Sequence, residues 1–251
     1  GKDGRCRGHR PERQRRPVLR YHGGKWRIAP WIIAHFPEHK IYVEPFAGAA
    51  SVFFRKPAAD NVVLADADPE VVHYLETVRV NGRALAAALA ATPYAPEVYD
   101  AAFEKRERAD VERAAAMAVR SFMGHGSDSI RRRNGFRGHA IARAAWSTLP
   151  DAIRAAQRTM AENVKVVQRD ALETIAMHDR PDVLIYADPP YPDSVRSAYR
   201  RDRYGVEMRG EEPHERMAAA LRATRAAVVV SGYDCPLYAR LFAGWRKVSR
   251  Q

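Results

Sequence analysis

Residues 183–191 read VLIYADPPY. Five consecutive apolar residues bounded by turn formers suit a strand buried on both faces, the kind found inside a parallel sheet. After Ala187 the chain turns at Asp188, and the two prolines that follow stiffen that turn and remove two N–H donors. The Asp188 carboxylate and the neighbouring carbonyls are therefore left as outward-facing acceptors. Four other short apolar runs read the same way: IYVE (41–44), VVLAD (62–66), VKVVQ (164–168) and AVVVSG (227–232). Between them lie segments with helical spacing: KWRIAPWIIAHF (25–36), GAASVFFR (48–55) and a longer one from Pro69 through Leu89. Strands alternating with helices predict a doubly wound, parallel α/β sheet.

From about 93 to 160 the strand signal vanishes. Residues 97–122 and 139–161 are Ala-rich with helical periodicity, and HGSDSIRRRNGFRG (125–138) separates them as a loop rich in Gly, Ser and Arg. The block is expected to be a helical insertion between the second and third strands. Residues 1–19 are polar, basic and non-periodic and read as a flexible arm, with order beginning near Arg20. The expected division is thus an arm (1–19), an α/β domain (20–92 and 161–251) and an insertion (93–160).

The chain has 251 residues with a net charge of +12, 46% hydrophobic and 29% charged residues, an ordinary globular composition. No apolar stretch approaches the length of a membrane span, and the first 17 residues lack the apolar segment of a secretory signal. Cys6 and Cys235 lie far apart and have no ligand-spaced partners. A zinc cluster and a disulfide scaffold are therefore not expected, and a reducing cytoplasm is. The positive charge is uneven. Residues 1–20 hold eight Lys and Arg against two acids, Arg131, Arg132, Arg133, Arg137 and Arg143 cluster without an acid, and Arg196, Arg200, Arg201 and Arg203 face only Asp202. Such clusters suit a polyanion, although Arg outnumbers Lys 35 to 7, a bias that genome composition alone can produce.

Three constellations carry chemistry. EPFAGAAS (44–51) joins a strand to the helix expected after it through small residues that let a ligand approach the backbone, without being a GxGxxG fingerprint. LADADPE (64–70) ends a buried strand on Asp66, which can accept both hydroxyls of a ribose or cap the next helix. ADPPY (187–191) presents an acceptor pair beside Tyr191. A planar amine could donate to Asp188 and a backbone carbonyl while its ring stacks on the tyrosine.

In order along the chain, YHGGK (21–25), VEPFAGAASVF (43–53), LADAD (64–68), ADPPY (187–191) and SGYDCPLYARLF (231–242) resemble the Dam-type DNA adenine-N6 methyltransferases, in particular their phage-like members. The resemblance implies a class I, Rossmann-like methyltransferase sheet, S-adenosyl-L-methionine as methyl donor, double-stranded DNA as substrate, and 93–160 as the target-recognition segment. It places Tyr21, Lys25, Glu44, Pro45, Phe46 and Gly48 around the cofactor, Asp66 on its ribose and Asp188 at its reactive end. Asp170 falls where the family meets the cofactor's adenine amine, and it reads equally as a helix cap. Asp188, Pro189, Pro190 and Tyr191 would hold the target adenine, flipped from the duplex. Arg20, Arg131, Arg132, Arg133, Asn134, Phe136 and Arg137 would contact DNA, Phe136 as a wedge into the vacated stack. A monomer is expected, with a dimer on DNA as the alternative, acting in a bacterial cytoplasm or, if phage-encoded, in the host's.

Cytosine-N4 methylation needs the same acceptor geometry, and Asp before PPY favours adenine. A catalytically silent DNA-binding homologue is the other alternative. Cys235-Pro236 reverses the order expected of a cytosine-C5 nucleophile, and neither His22 nor His125 and His139 belongs to a metal site. Relatives continue beyond the strand that WRKVSR (245–250) resembles into a final hairpin, whereas this sequence stops at Gln251, so either a shortened protein or a truncated chain is expected.

Overall fold

The computed structural model describes residues 14–104, 110–126, 128–160, 162–192 and 208–250. Five strands, β1 (Ile41–Glu44), β2 (Asn61–Asp66), β3 (Val164–Gln168), β4 (Val183–Ala187) and β5 (Ala227–Val230), form one sheet in the order β3-β2-β1-β4-β5. Every pairing is parallel, with Tyr42 opposite Val62 and Leu184, and Leu184 opposite Ala227. The fold is the expected α/β sheet of the class I methyltransferase type. β1 and β4 are sequence-distant neighbours, so the chain reverses its winding direction between them. Open parallel sheets bind their ligands at such a switch point, beyond the carboxyl ends of the strands.

Period-2 alternation sends the side chains of these strands to two cores. Tyr42, Val62, Leu64, Leu184 and Tyr186 point to one face. There they join residues of α1 (Ala29–Ile33), α2 (Pro69–Ala91), α3 (Pro96–Ala101), α4 (Asp110–Met123), α5 (Ala140–Ser147) and α6 (Leu149–Thr159). Val43, Val63, Val183 and Ile185 point to the other, against α7 (Ala171–Met177), α8 (Glu212–Ala223) and α9 (Pro236–Leu241). The helices within 93–160 share one continuous core with the sheet. At Gly82 of α2 an added Cβ would lie 2.8 Å from the Gln157 side chain, so α2 and α6 meet almost backbone to side chain. Gln157 donates to the carbonyls of Arg79 and Val80, beside the non-helical residue Asn81.

Several local expectations give way to tertiary contacts. Residues 14–19 are part of the fold: Val18 and Leu19 are fully buried, Tyr74 donates to the Val18 carbonyl at 2.6 Å, and Gln14 donates to Ala152 O. Two apolar residues in a basic stretch are too weak a pattern to read, yet the groove beside α2 and α6 buries both. Residues 1–13, Cys6 among them, and the cluster from Arg196 to Arg203 lie outside the described residues. GAASVFFR is a turn followed by the short 3₁₀ helix Phe53–Arg55 rather than a helix, because Gly48 and Ala50 adopt left-handed φ values of +50° and +49°. The helix expected over 25–36 contracts to α1, and that over 139–161 breaks at Thr148, where Pro150 opens α6. WRKVSR has no regular structure and is largely exposed.

Buried charge ties α4 to the start of α2. Glu70 accepts from Arg113 at 2.7 Å on one oxygen and from Arg120 at 2.9 Å on the other, and Arg120 is only 1% exposed. Truncating Arg120 removes one charge-assisted bond, while the Glu70 side chain stays 21% exposed and keeps Arg113. Arg120→Met is expected to cost about 2 kcal/mol, the range of one hydrogen bond to a charged group, seen as a lowered midpoint in denaturant unfolding of the full chain. A change below about 0.5 kcal/mol would show that Arg120 is merely accommodated.

Candidate active site

The carboxyl ends of β1, β2 and β4 each deliver an acid to one pocket. Glu44 is the last residue of β1 and 2% exposed; its Oε1 accepts from the Tyr42 hydroxyl at 2.7 Å and from Phe53 N at 2.9 Å. Burial pushes its carboxyl up to about 8, against the two hydrogen bonds, and the nearby Asp188 adds to the rise. Asp66, closing β2, accepts from Gly48 N (2.8 Å, Oδ2) and Asp68 N (2.9 Å, Oδ1). Burial raises it to about 6, partly offset by those two N–H groups. Gly48 N donates to Asp66 and Phe53 N to Glu44, and the backbone between these two amides passes through left-handed conformations at Gly48 and Ala50. At Gly48 an added Cβ would sit 3.1 Å from the Tyr21 ring, so Tyr21 lies directly over this turn.

Asp188 follows β4. Lys25 Nζ stands 2.7 and 2.8 Å from its two oxygens and also reaches Tyr191 Oη (2.6 Å) and Gly23 O (2.6 Å). Burial raises the Asp188 carboxyl, while the Lys25 ammonium pulls the other way. The turn itself is pinned to β5, since Ser231 N donates to Ala187 O at 2.9 Å and Tyr186 Oη meets Ser231 Oγ at 2.8 Å. Tyr191 packs edge-on against Tyr233 at 4.6 Å, and burial raises its hydroxyl.

One pocket is lined by Tyr21, Lys25, Glu44, Pro45, Phe46, Gly48, Asp66, Asp170 and Asp188, all nine of the residues expected around a cofactor. Pro190 lines it as well, and Tyr191 faces an adjoining cleft with Lys25, Arg20 and Tyr233. Asp170 is exposed and caps α7, its Oδ1 accepting from Leu172 N at 2.8 Å, so the capping alternative holds at a residue that also borders the pocket.

Residues 21–249 match the sequence model of the D12 class N6 adenine-specific DNA methyltransferases. The chain belongs to that family. It is 34% identical over 73 residues to the DNA adenine methylase of Haemophilus influenzae, which is 29% of this chain and 25% of the relative. Against the DNA adenine methylase of Vibrio cholerae it is 32% identical over 72 residues, 29% of this chain and 26% of the relative. The chain thus spans about a quarter of the length of the curated relatives it matches.

The residues expected to meet DNA come from two places, Arg20 before α1 and the loop between α4 and α5. Arg20 N donates to Ser121 Oγ (2.9 Å) and its guanidinium to Ser121 O (3.2 Å); burial lowers its pKa, and so does the nearby Arg137. Arg137 N donates to Met123 O. In the loop after α4, Arg132 and Arg133 are exposed, with Arg133 stacked on Phe103 at 5.1 Å. Asn134 is held by His125 O and Asp128, and Phe136 packs on Tyr94 at 5.1 Å and Tyr99 at 6.4 Å. Phe136 as found is a packing residue of the loop; a wedge role requires it to leave those rings. Arg131 lies against Asp68. The motif pattern assigned no part to Tyr233 or Tyr186, because an aromatic in a strand or after it reads as core until the fold sets Tyr186 beside Asp188 and Tyr233 against Tyr191. Among the described residues no helix is long and apolar enough to cross a membrane.

Glu44 yields a pH test. Its folded pKa of about 8 exceeds its ordinary 4.5, so the folded state holds the extra proton between those values. Its contribution is therefore fully present below pH 4.5 and declines as pH rises toward 8, with a slope of up to about 1.4 kcal/mol per pH unit. Lys56, lowered by burial to about 8 from 10.5, acts in a different window, above pH 8. Glu44→Gln keeps an acceptor for Tyr42 and Phe53 and is expected to flatten the decline between pH 5 and 8 in urea titrations. An unchanged slope would place its origin elsewhere.

Proposed function

We propose that this protein transfers a methyl group from S-adenosyl-L-methionine to N6 of an adenine flipped out of double-stranded DNA, at a specific sequence, in the cytoplasm of a bacterium or of a phage's host. The observation that carries the proposal is the single pocket joining the Asp66–Gly48 turn to Asp188. The residues fit the cofactor. Each Asp66 oxygen holds one backbone N–H and keeps a lone pair for a ribose hydroxyl, Gly48 leaves room beneath the Tyr21 ring where a side chain would not fit, and Phe46 supplies an apolar wall.

When bound, the cofactor supplies an electrophilic methyl group on a sulfonium. The chain's own residues would do the rest. The exocyclic nitrogen of adenine delocalises its lone pair into the ring and is a poor nucleophile. Hydrogen bonds from N6 to the Asp188 carboxylate and the Pro189 carbonyl favour a pyramidal nitrogen with its lone pair directed outward, and Asp188 can hold the proton that the nitrogen loses. Pro189 and Pro190 stiffen that pair of acceptors, and Tyr191 offers a stacking face to the extruded base. Lys25 donates to Asp188 Oδ2, and Oδ1, close to the same ammonium but without a hydrogen-bond donor, is the acceptor open to an arriving amine. Exposed Arg132 and Arg133, together with Arg20 and Arg137, would supply salt-sensitive phosphate contacts. Asn134 would read a base edge once released from its loop partners.

The test is incubation of the full chain with S-adenosyl-L-methionine and methylation-free duplex DNA, followed by long-read sequencing. N6-methyladenine confined to one short motif is the expected product. N4-methylcytosine, or no modified base from folded protein that binds cofactor, would overturn the assignment of the reaction. Asp188→Ala is expected to lower transfer by at least about a hundredfold, in the range of lost transition-state hydrogen bonds, with cofactor affinity nearly unchanged. Joint loss of both would mark Asp188 as structural.

A further inference from the structure

Three arginines of the helical segment converge on two acids that open α2. Arg113 and Arg120, both on α4, hold Glu70; Arg131, in the loop after that helix, donates through Nη2 to Asp68 Oδ2. Asp68 is 3% exposed, whereas Arg132 and Arg133 beside Arg131 face solvent. The other Asp68 oxygen accepts from Glu70 N at 3.0 Å as the N-cap of α2, and the Asp68 amide donates to Asp66 Oδ1 at 2.9 Å. Asp66 is in turn held on its second oxygen by Gly48 N at 2.8 Å. A continuous chain of hydrogen bonds thus runs from the Arg-rich loop to the carboxylate on the pocket floor.

We propose that Arg131 is a positioning residue for Asp66, acting through Asp68, and not a contact to DNA. The proposal rests on the reading of Asp66 as the ribose acceptor. Its physical basis is the burial of Asp68. With one oxygen on the helix amide and the other on Arg131, the Asp68 side chain cannot rotate, and the turn that aims its amide at Asp66 is fixed with it. Without the guanidinium, a carboxylate so buried has little water to replace the lost donor and must turn or draw solvent in. Either response moves the Asp68 amide relative to Asp66. The recognition loop would then shape the cofactor pocket before any DNA is present.

Titration calorimetry of the full chain with S-adenosylhomocysteine, without DNA, separates this from a DNA contact. Arg131→Gln is expected to weaken binding roughly tenfold, within the range of couplings carried by one buried network. Asp68→Asn, which remains a competent N-cap, should reproduce that loss, and the double variant should add little to either. Arg131→Lys should recover most of the affinity, since it restores a cation near Asp68; generalised loosening of the fold would not be rescued this way. A folded Arg131→Gln variant with native affinity for S-adenosylhomocysteine but weakened binding to duplex DNA would overturn the proposal. Should Arg131→Gln fail to fold, native affinity in Asp68→Asn overturns it equally. A native chain that does not bind S-adenosylhomocysteine at all would sink the cofactor assignment, and this inference with it.

Discussion

The site exists because the strands are parallel. β1, β2 and β4 lie side by side, covered on both faces, and all end at the same edge. Whatever residue closes each strand is therefore delivered to the same place, and in this chain those positions carry Glu44, Asp66 and, one residue beyond β4, Asp188. Three carboxylates at the edge of a hydrophobic sheet repel one another and lose water, and the surrounding structure answers that problem at each of them.

The answers differ, and so do the consequences. Glu44 is met by neutral donors, the Tyr42 hydroxyl and the Phe53 amide, and stays close to protonated at neutral pH. It organises the turn without adding much charge to the pocket. Asp66 is met by two amides, one on each oxygen, which aim it while sparing lone pairs for a ligand. Asp188 is met by a full charge, the Lys25 ammonium, within 2.8 Å of both its oxygens. A carboxylate accepts hydrogen bonds most strongly when ionised, and the Lys25 ammonium favours that form against the rise that burial imposes on Asp188.

The helical segment contributes in the same terms. Its arginines are not a uniform basic surface: Arg120 is buried on Glu70, Arg131 lies on Asp68, Arg133 stacks on Phe103, and Arg132 faces solvent. The charge count of a loop therefore overstates what is left for a polyanion, and the difference goes into fastening the loop to the start of α2, two residues from the pocket.

All five strands could be read from the sequence within a residue or two: the inner strands β1, β2 and β4 are apolar runs buried on both faces, and the half-exposed edges β3 and β5 keep enough Val to show. The pocket acids were legible for a related reason. Each stands where an apolar run stops, and in a parallel sheet that is where ligands bind. The order of motifs carried the family. Tertiary structure alone decided the shape of residues 48–55, where carboxylates distant in sequence pull the backbone out of a helical path, and the burial of Val18 and Leu19 against α2 and α6. It also decided which arginines are free to meet a partner. A guanidinium's local sequence looks the same whether it faces solvent or a carboxylate 63 residues away, as Arg131 does with Asp68. Periodicity records how a residue relates to its own element, and ion pairing depends on which elements the fold brings together.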